Sequence, residues 1–314
     1  MSSVVIHDLQ HSGPRARGDV LLADANAYVR RLTLEHAENF HVLTRFVPPH
    51  LVDDFCSVYA FCRWADDLSD EVGSPDRARE LLHWWAHELD RCFNGRVSHP
   101  VFVALRVTIE RRQLPIEPFR DLIDAFLQDQ CTTKYDSWDQ LLDYCSRSAA
   151  PVGRLVLMLF DERAEACHRP SDATCTALQL VNFWQDVRRD LLERGRLYVP
   201  CDVAARHGLT TDGVRQCVAH SGLPDRAADE AYCAVLSELC GRTAALFDAG
   251  RPLVRLVRPE ARPVLKLFSL GGETLLRAIE RMNYRTYACR ARLGRVTKAR
   301  LLARVWLTHK LGGI

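Results

Sequence analysis

Long hydrophobic runs are missing from this sequence. The longest aliphatic stretch, Leu155 to Phe160, is six residues, against the ~20 that a membrane-crossing helix needs, which argues against an integral membrane protein. The N-terminus, MSSVVIHDLQHSGPRARGDV, lacks an apolar core of signal-peptide length, so residues 1–18 are expected to form a flexible arm on a cytoplasmic protein. The twelve cysteines form no CxxC pair and read as reduced, mostly buried thiols in a chain long enough to build a core without disulfides. The His and Cys spacing of a zinc site is absent, as is any GxGxxG. Alternating strand patterns and repeats of 20–50 residues are absent too, which excludes β-sandwiches and solenoids.

What is present is helical. Hydrophobic residues make up 47% and charged ones 26%, values of a folded globular chain. Apolar residues recur at three- and four-residue spacing through Leu81–Leu89, Phe119–Leu127, Leu141–Phe160, Ala177–Leu192, Ala231–Phe247 and Val264–Tyr284. Breaks fall at Pro48-Pro49, Gly73-Ser74-Pro75, Asn94-Gly95, Leu114-Pro115, Gly195 with Pro200, and Gly222 with Pro224. The pattern predicts one all-α domain over residues 19–314, a helical bundle with a central active-site cavity. Charge is uneven: from Arg251 onward 15 Lys/Arg face 3 Asp/Glu, a basic tail suited to an anionic partner.

Two segments carry chemistry. In Tyr59-Ala-Phe-Cys-Arg-Trp-Ala-Asp-Asp-Leu-Ser-Asp-Glu71, helical spacing places Tyr59, Arg63, Asp66, Asp67 and Asp70 on one face. Carboxylates four residues apart repel each other, a cost that a divalent cation between them would offset; the alternative is a solvated acidic helix end. In Gln179-Leu-Val-Asn-Phe-Trp-Gln-Asp-Val-Arg-Arg-Asp190 the pair recurs as Asp186 and Asp190, now with Gln179 and Asn182 on the same face. Amides in mid-helix have mediocre propensity, so their alignment with the acids marks a polar stripe. Two such helices facing each other would surround a cavity with four carboxylates, and an all-oxygen donor set suits Mg²⁺ shared with substrate phosphates.

The runs YAFCRWADDLSDE and QLVNFWQDVRRD…GRLYVP resemble the two signatures of the squalene/phytoene synthase family, over about Ala27 to Leu302. The resemblance implies an isoprenoid-synthase fold and chemistry on prenyl diphosphates. It implies that Asp66, Asp70, Asp186 and Asp190 bind Mg²⁺, that Arg63, Gln179 and Asn182 contact the diphosphate, and that Tyr59 lines the site near the reacting carbons. His36, Asn39 and Phe40 match a first-helix motif that touches the diphosphate and the prenyl chain. The basic tail, with Arg290, Arg292, Arg295 and Lys298, is placed either to close over the diphosphate or to form a basic outer surface. Phe126, Phe160 and Phe183 are candidate cavity walls or plain core.

Three departures from the family pattern bear on the product. Gln185 stands where the family often has Arg. The family's YCxxVAG stretch reads Tyr144-Cys-Ser-Arg-Ser-Ala-Ala150, leaving Tyr144 as its tyrosine. Gly271-Gly272 replaces a tyrosine common in the last long helix. The NFWQD run resembles the branch found in bacterial hopanoid pathways, where presqualene diphosphate and water give hydroxysqualene. That reaction needs no hydride donor, so no NAD(P)H is expected, and polar residues at Ser146–Ser148 are candidates for placing the water. The competing readings are a head-to-head prenyl transferase making presqualene diphosphate, squalene or phytoene, a non-catalytic helical assembly factor, and a nucleic-acid binder, which matches no named module and is not expected. Leu301, Leu302, Val305 and Trp306 against Arg300, Arg304 and Lys310 form a terminal helix that either contacts the inner face of the membrane peripherally or packs as ordinary structure.

Overall fold

A computed structural model describes residues 4–16, 18–36, 46–219 and 225–310. Among them helices dominate and no strand forms; one isolated parallel bridge joins Lys134 and Leu197. The chain gathers into two compact units that interleave along the sequence, Met1–Cys131 with Pro151–Arg163, and Thr132–Ala150 with Ala164–Ile314.

The first unit holds α1 (Val4–Ser12), α2 (Leu22–His36), a 3-10 turn (Pro49–Leu51), α3 (Val52–Asp70), α4 (Pro75–Phe93), α5 (Pro100–Arg112) and α6 (Glu117–Gln128). Most of α8 (Ala150–Leu159) belongs to it as well. The N-terminal segment expected to be a mobile arm contains helix α1. Val5 is fully buried and Tyr28 Oη donates to Asp8 Oδ2 at 2.8 Å, so apolar burial plus one polar anchor docks the helix.

Helix α3 is the axis, packed against α1, α2, α4, α5 and α6. Its inner face places Phe61 and Trp64 among Trp85, Phe102 and Phe119. Trp64 and Trp85 stack at 5.2 Å, and Phe61 meets Phe119 edge-on at 5.0 Å. The N-terminal turn of α3 is fixed by buried Asp54, which accepts from Thr108 Oγ1 (3.1 Å), Arg111 Nη1 (3.2 Å) and Arg112 Nε (2.8 Å) of α5. The anticipated punctuation acts as expected. Ser74 caps α4 by accepting from the Arg77 amide at 3.3 Å, with Pro75 in the first turn, and Gln113 ends α5 in the left-handed region.

The second unit is built around α9 (Glu165–Arg194), thirty residues long and packed against α7 (Trp138–Ser148), α11 (Thr211–Ala219), α12 (Arg226–Gly250), α13 (Leu253–Leu256) and α14 (Arg262–Arg281). Short α10 (Cys201–Arg206) packs on α12, and α15 (Arg295–Lys310) on α14. Two helical runs are shorter than their periodicity predicts. Leu141–Phe160 is two helices, because the chain breaks at Ala149 ahead of Pro151. Val264–Tyr284 ends at Arg281, where Asn283 (φ 50°) and Tyr284 (φ 62°) turn left-handed. The break expected at Gly222 and Pro224 lies outside the described residues. All twelve cysteines are free thiols, with Cys131 and Cys289 exposed.

Candidate active site

Each unit carries one acidic motif in mid-helix or at a helix end. On α3, Arg63 is held between two aspartates: it pairs with buried Asp67 one turn on, and its Nη1 lies 3.5 Å from Asp66 Oδ2. Asp66 keeps 45% of its side chain exposed and Asp67 only 1%. The two neighbours therefore divide the work: Asp67 anchors the arginine and Asp66 faces outward. Burial opposes the charged guanidinium, yet Asp67 and Asp66 outweigh it and raise the Arg63 pKa. Asp70, at the helix end, accepts from Ser69 Oγ at 3.2 Å, and Gln130 Nε2 fixes that hydroxyl at 2.7 Å. Tyr59 is half-buried, and burial pushes its phenol up to about 12, so it stays protonated at neutral pH.

On α9, Gln179, Asn182, Asp186 and Asp190 form the expected stripe, with Gln179 half-buried, Asn182 exposed and Asp190 buried. Asp186 is gripped at both carboxylate oxygens by the Arg290 guanidinium, through Nε and through Nη2, the latter at 2.9 Å. Asp190 accepts from Arg194 Nη1 at 3.1 Å. Gly195 ends the helix at φ 67°. The Leu197 amide then donates to Thr133 O at 2.8 Å and the Cys201 amide to Tyr135 O at 2.9 Å, so the GRLYVP run is the pinned exit from the motif helix.

Gln185 lies at the flank of the stripe, beside Asp186. Its side chain is buried, and Nε2 donates to the Ala291 carbonyl at 2.5 Å. Arg188 Nη1 donates to Val218 O and, at 3.3 Å, to Tyr287 O. Three residues of α9 thus hold the segment Tyr287–Ala291, which Asp229 also secures through Arg285 and the Tyr287 hydroxyl. An open groove of about 200 Å³ runs along this seam, lined by Asp186, Arg290, Gln185 and Cys289 among others.

Of the tail cations proposed from sequence, Arg290 meets the motif aspartate Asp186; Arg292 and Arg295 are exposed and Lys298 is half-buried. Tyr144 is 2% exposed, stacked among Tyr135, Phe183 and Tyr198, with Phe183 and Tyr198 at 3.8 Å. Phe160 and Phe183 are buried, and Phe126 is half-buried. Ser146 Oγ is spent on Asp143 O at 2.6 Å, whereas Ser148 Oγ is buried with no hydrogen-bond partner among the described residues. His36 ends α2, its side chain undescribed, and Asn39 and Phe40 lie outside the described residues. The anchor Asp67 and the Asp190–Arg194 pair follow from i, i+4 spacing. The Gln185–Ala291 bond spans 106 positions and leaves no local signal.

The donor chemistry fits a shared Mg²⁺. Among the described residues no group of three or more His, Cys, Asp or Glu stands close enough to cage a metal alone. Each motif supplies two carboxylates one helical turn apart, oxygen donors of the kind Mg²⁺ takes when substrate phosphates and water complete its shell.

The squalene/phytoene synthase family model matches residues 33–301. The chain belongs to the squalene/phytoene synthase family. As a member it is an enzyme of isoprenoid biosynthesis, related to the head-to-head prenyl transferases. Among curated relatives, the hydroxysqualene synthase of Zymomonas mobilis subsp. mobilis is 33% identical over 67% of this chain and 71% of its own. That of Rhodopseudomonas palustris is 32% identical over 70% and 72%. The solved squalene synthase HpnC from Alicyclobacillus acidocaldarius is 44% identical, with a TM-score of 0.76 over 84% of this chain and 95% of that one. A dehydrosqualene synthase structure, 23% identical, superposes with a TM-score of 0.81 over 92% and 98%, a likeness of fold. These structures share the helical isoprenoid-synthase architecture.

Proposed function

We propose that this family member converts presqualene diphosphate and water to hydroxysqualene and diphosphate. The observation that carries the product assignment is Gln185. Where the family often places an arginine against its second motif, this chain has a neutral amide committed to the Ala291 carbonyl, and hydroxysqualene synthases stand among its relatives at 32–33% identity.

In this reading the carbon–oxygen bond to the diphosphate breaks heterolytically, and the electron pair departs with the leaving group. The cyclopropylcarbinyl cation rearranges, water adds to it, and the proton released passes to the diphosphate. No electrons enter, so no hydride donor is consumed. Asp66, Asp70, Asp186 and Asp190 would hold Mg²⁺. When bound, the ion offsets the negative charge that builds on the departing diphosphate. Arg63, Gln179, Asn182 and Arg292 grip the diphosphate, with Arg63 oriented for it by Asp67. His36, Asn39 and Phe40 serve the diphosphate and the start of the prenyl chain. Tyr59, neutral and half-buried, presents its ring to the cation, and Tyr144 backs the apolar wall.

Product analysis tests this. Purified full-length protein with Mg²⁺ and without NADPH is offered presqualene diphosphate or farnesyl diphosphate. Hydroxysqualene from the first, with the second untouched, is the expected result, and Asp186→Asn should lower the rate on the order of 100-fold. Presqualene diphosphate formed from farnesyl diphosphate would move the chain to the coupling reaction.

A further inference from the structure

Helix α15 is apolar on two sides. One side packs on α14 through Val305, 1% exposed, with Leu301 and Leu302 half-buried; of the four residues that sequence alone offers as a membrane-facing stripe, these three turn inward and Trp306 stays exposed. On the opposite side Val296, Ala299, Ala303 and Leu307 align at three- and four-residue spacing, with Trp306 beside them. Val296 is 65%, Leu307 49% and Trp306 48% exposed. Arg300 and Arg304 flank this outward stripe and are exposed. An apolar stripe bordered by arginines and a tryptophan is the pattern of a helix that lies in a membrane interface.

Next to the stripe, α14 and α15 frame a groove of about 310 Å³ lined by Lys266, Ser269, Arg304 and Thr308, and a smaller one of about 120 Å³ where Lys266 and Thr308 meet Arg262 and His309. Partial burial, then the neighbouring charges of Arg262 and Arg304, lower the Lys266 pKa. The acid of the larger groove, Glu273, is already engaged by Arg277 at 2.8 Å and Arg251 at 3.6 Å. The surrounding chain from Arg251 onward carries 15 basic residues against 3 acidic ones.

We propose that this corner docks the protein on an anionic phospholipid bilayer, the grooves at Lys266 receiving lipid phosphate while Val296, Leu307 and Trp306 enter the headgroup region. Charge selects this occupant: a second copy of the chain would bring a like-charged surface against this one, whereas an anionic leaflet attracts each cation by about 1 kcal/mol. The inference stands on these surface residues and is independent of which reaction the enzyme catalyses.

Flotation of the full-length protein with vesicles tests it. Vesicles of equal parts phosphatidylcholine and phosphatidylglycerol should carry the protein, those of phosphatidylcholine alone should not, and raised salt should release it. Arg262→Ala and Lys266→Ala should each lower the partition coefficient roughly fivefold. Leu307→Glu, at a surface position 49% exposed and checked for an unchanged fold by circular dichroism, should lower it as well; Val296→Asp is the second variant should the first perturb the fold. Equal binding to both vesicle types, or none to either, overturns the proposal. So does retention of binding in both stripe variants with complete competition by inorganic phosphate, which would mark a site for free anion. A dimer in sedimentation velocity that Leu307→Glu converts to monomer would also overturn it, making the stripe a contact between copies.

Discussion

Gln185 reaches across 106 positions of sequence to the carbonyl of Ala291, at 2.5 Å, immediately beside the Arg290 that grips Asp186. Both groups are shielded from water: Gln185 is 8% exposed and Ala291 1%. Gln185→Ala leaves that carbonyl buried and unpaired, so stability should fall by about 1–3 kcal/mol, measured by denaturant unfolding. An unchanged midpoint and slope would show that the bond does not hold the segment.

The Asp186–Arg290 pair is itself a competition. Both carboxylate oxygens face the guanidinium, so a cation approaching Asp186 must displace or share it. Arg290→Ala should therefore tighten binding of Mg²⁺ alone, on the order of tenfold at low salt given the strength of a charge-assisted pair. Calorimetric titration with Mg²⁺, in the absence of any prenyl diphosphate, reads this directly. Weaker binding in the variant would mean the arginine organises the carboxylate instead of occupying it.

How much of this was readable beforehand depends on the range over which the information acts. The helices and most of their ends follow from three- and four-residue periodicity and from Ser74, Pro75 and Gly195, because helix formation and capping are local. The aspartate stripes of α3 and α9 are equally local. The docking of α1 through Tyr28 and Asp8, the strap at Tyr287–Ala291 and the outward face of α15 are tertiary facts. No spacing rule announces which of two apolar stripes on one helix will find a partner, as Val305 and Leu307 demonstrate.

Ser148 offers a test of how the cation is quenched. Its hydroxyl is buried without a hydrogen-bond partner among the described residues, one turn beyond Tyr144, whereas that of Ser146 is already used by Asp143 O. A buried hydroxyl in that position needs a polar partner to offset its desolvation. If Ser148 positions the capturing water, Ser148→Ala should cut the fraction of alcohol several-fold and raise the share of unhydrated hydrocarbon, while Ser146→Ala changes neither. Identical product ratios in the two variants would remove Ser148 from the mechanism.

His99 sets a pH dependence of stability. Its ring packs edge-on against Trp64 at 4.5 Å and Trp85 at 5.0 Å, and Nδ1 accepts from the Val101 amide at 3.2 Å to start α5. Burial lowers its pKa to about 3, whereas an unfolded imidazole titrates near ~6.5. Between those values the unfolded chain binds the extra proton, so this contribution is complete above about pH 6.5 and is lost as the pH falls toward 3. His99→Asn keeps a capping acceptor and removes the titration. The loss of Tm between neutral pH and pH 4 should be shallower in the variant than in the parent; parallel curves would assign the acid sensitivity to carboxylates alone.

Adjacent glycines on α14 should respond oppositely to the same substitution. A Cβ on Gly272 would lie 2.6 Å from Leu178 Cδ2 and 2.6 Å from Phe247 Cζ, where α14 presses against α9 and α12. The Phe247 ring is 3% exposed and has little room to yield, so Gly272→Ala should cost about 1–3 kcal/mol through overpacking. A Cβ on Gly271 meets nothing within 4 Å and the residue is helical. Gly271→Ala should thus gain up to about 1 kcal/mol from the restricted unfolded backbone and better helix propensity. Denaturant unfolding of both variants reads the pair. If Gly272→Ala were as stable as Gly271→Ala, the close approach of the three helices would not be what keeps glycine at 272.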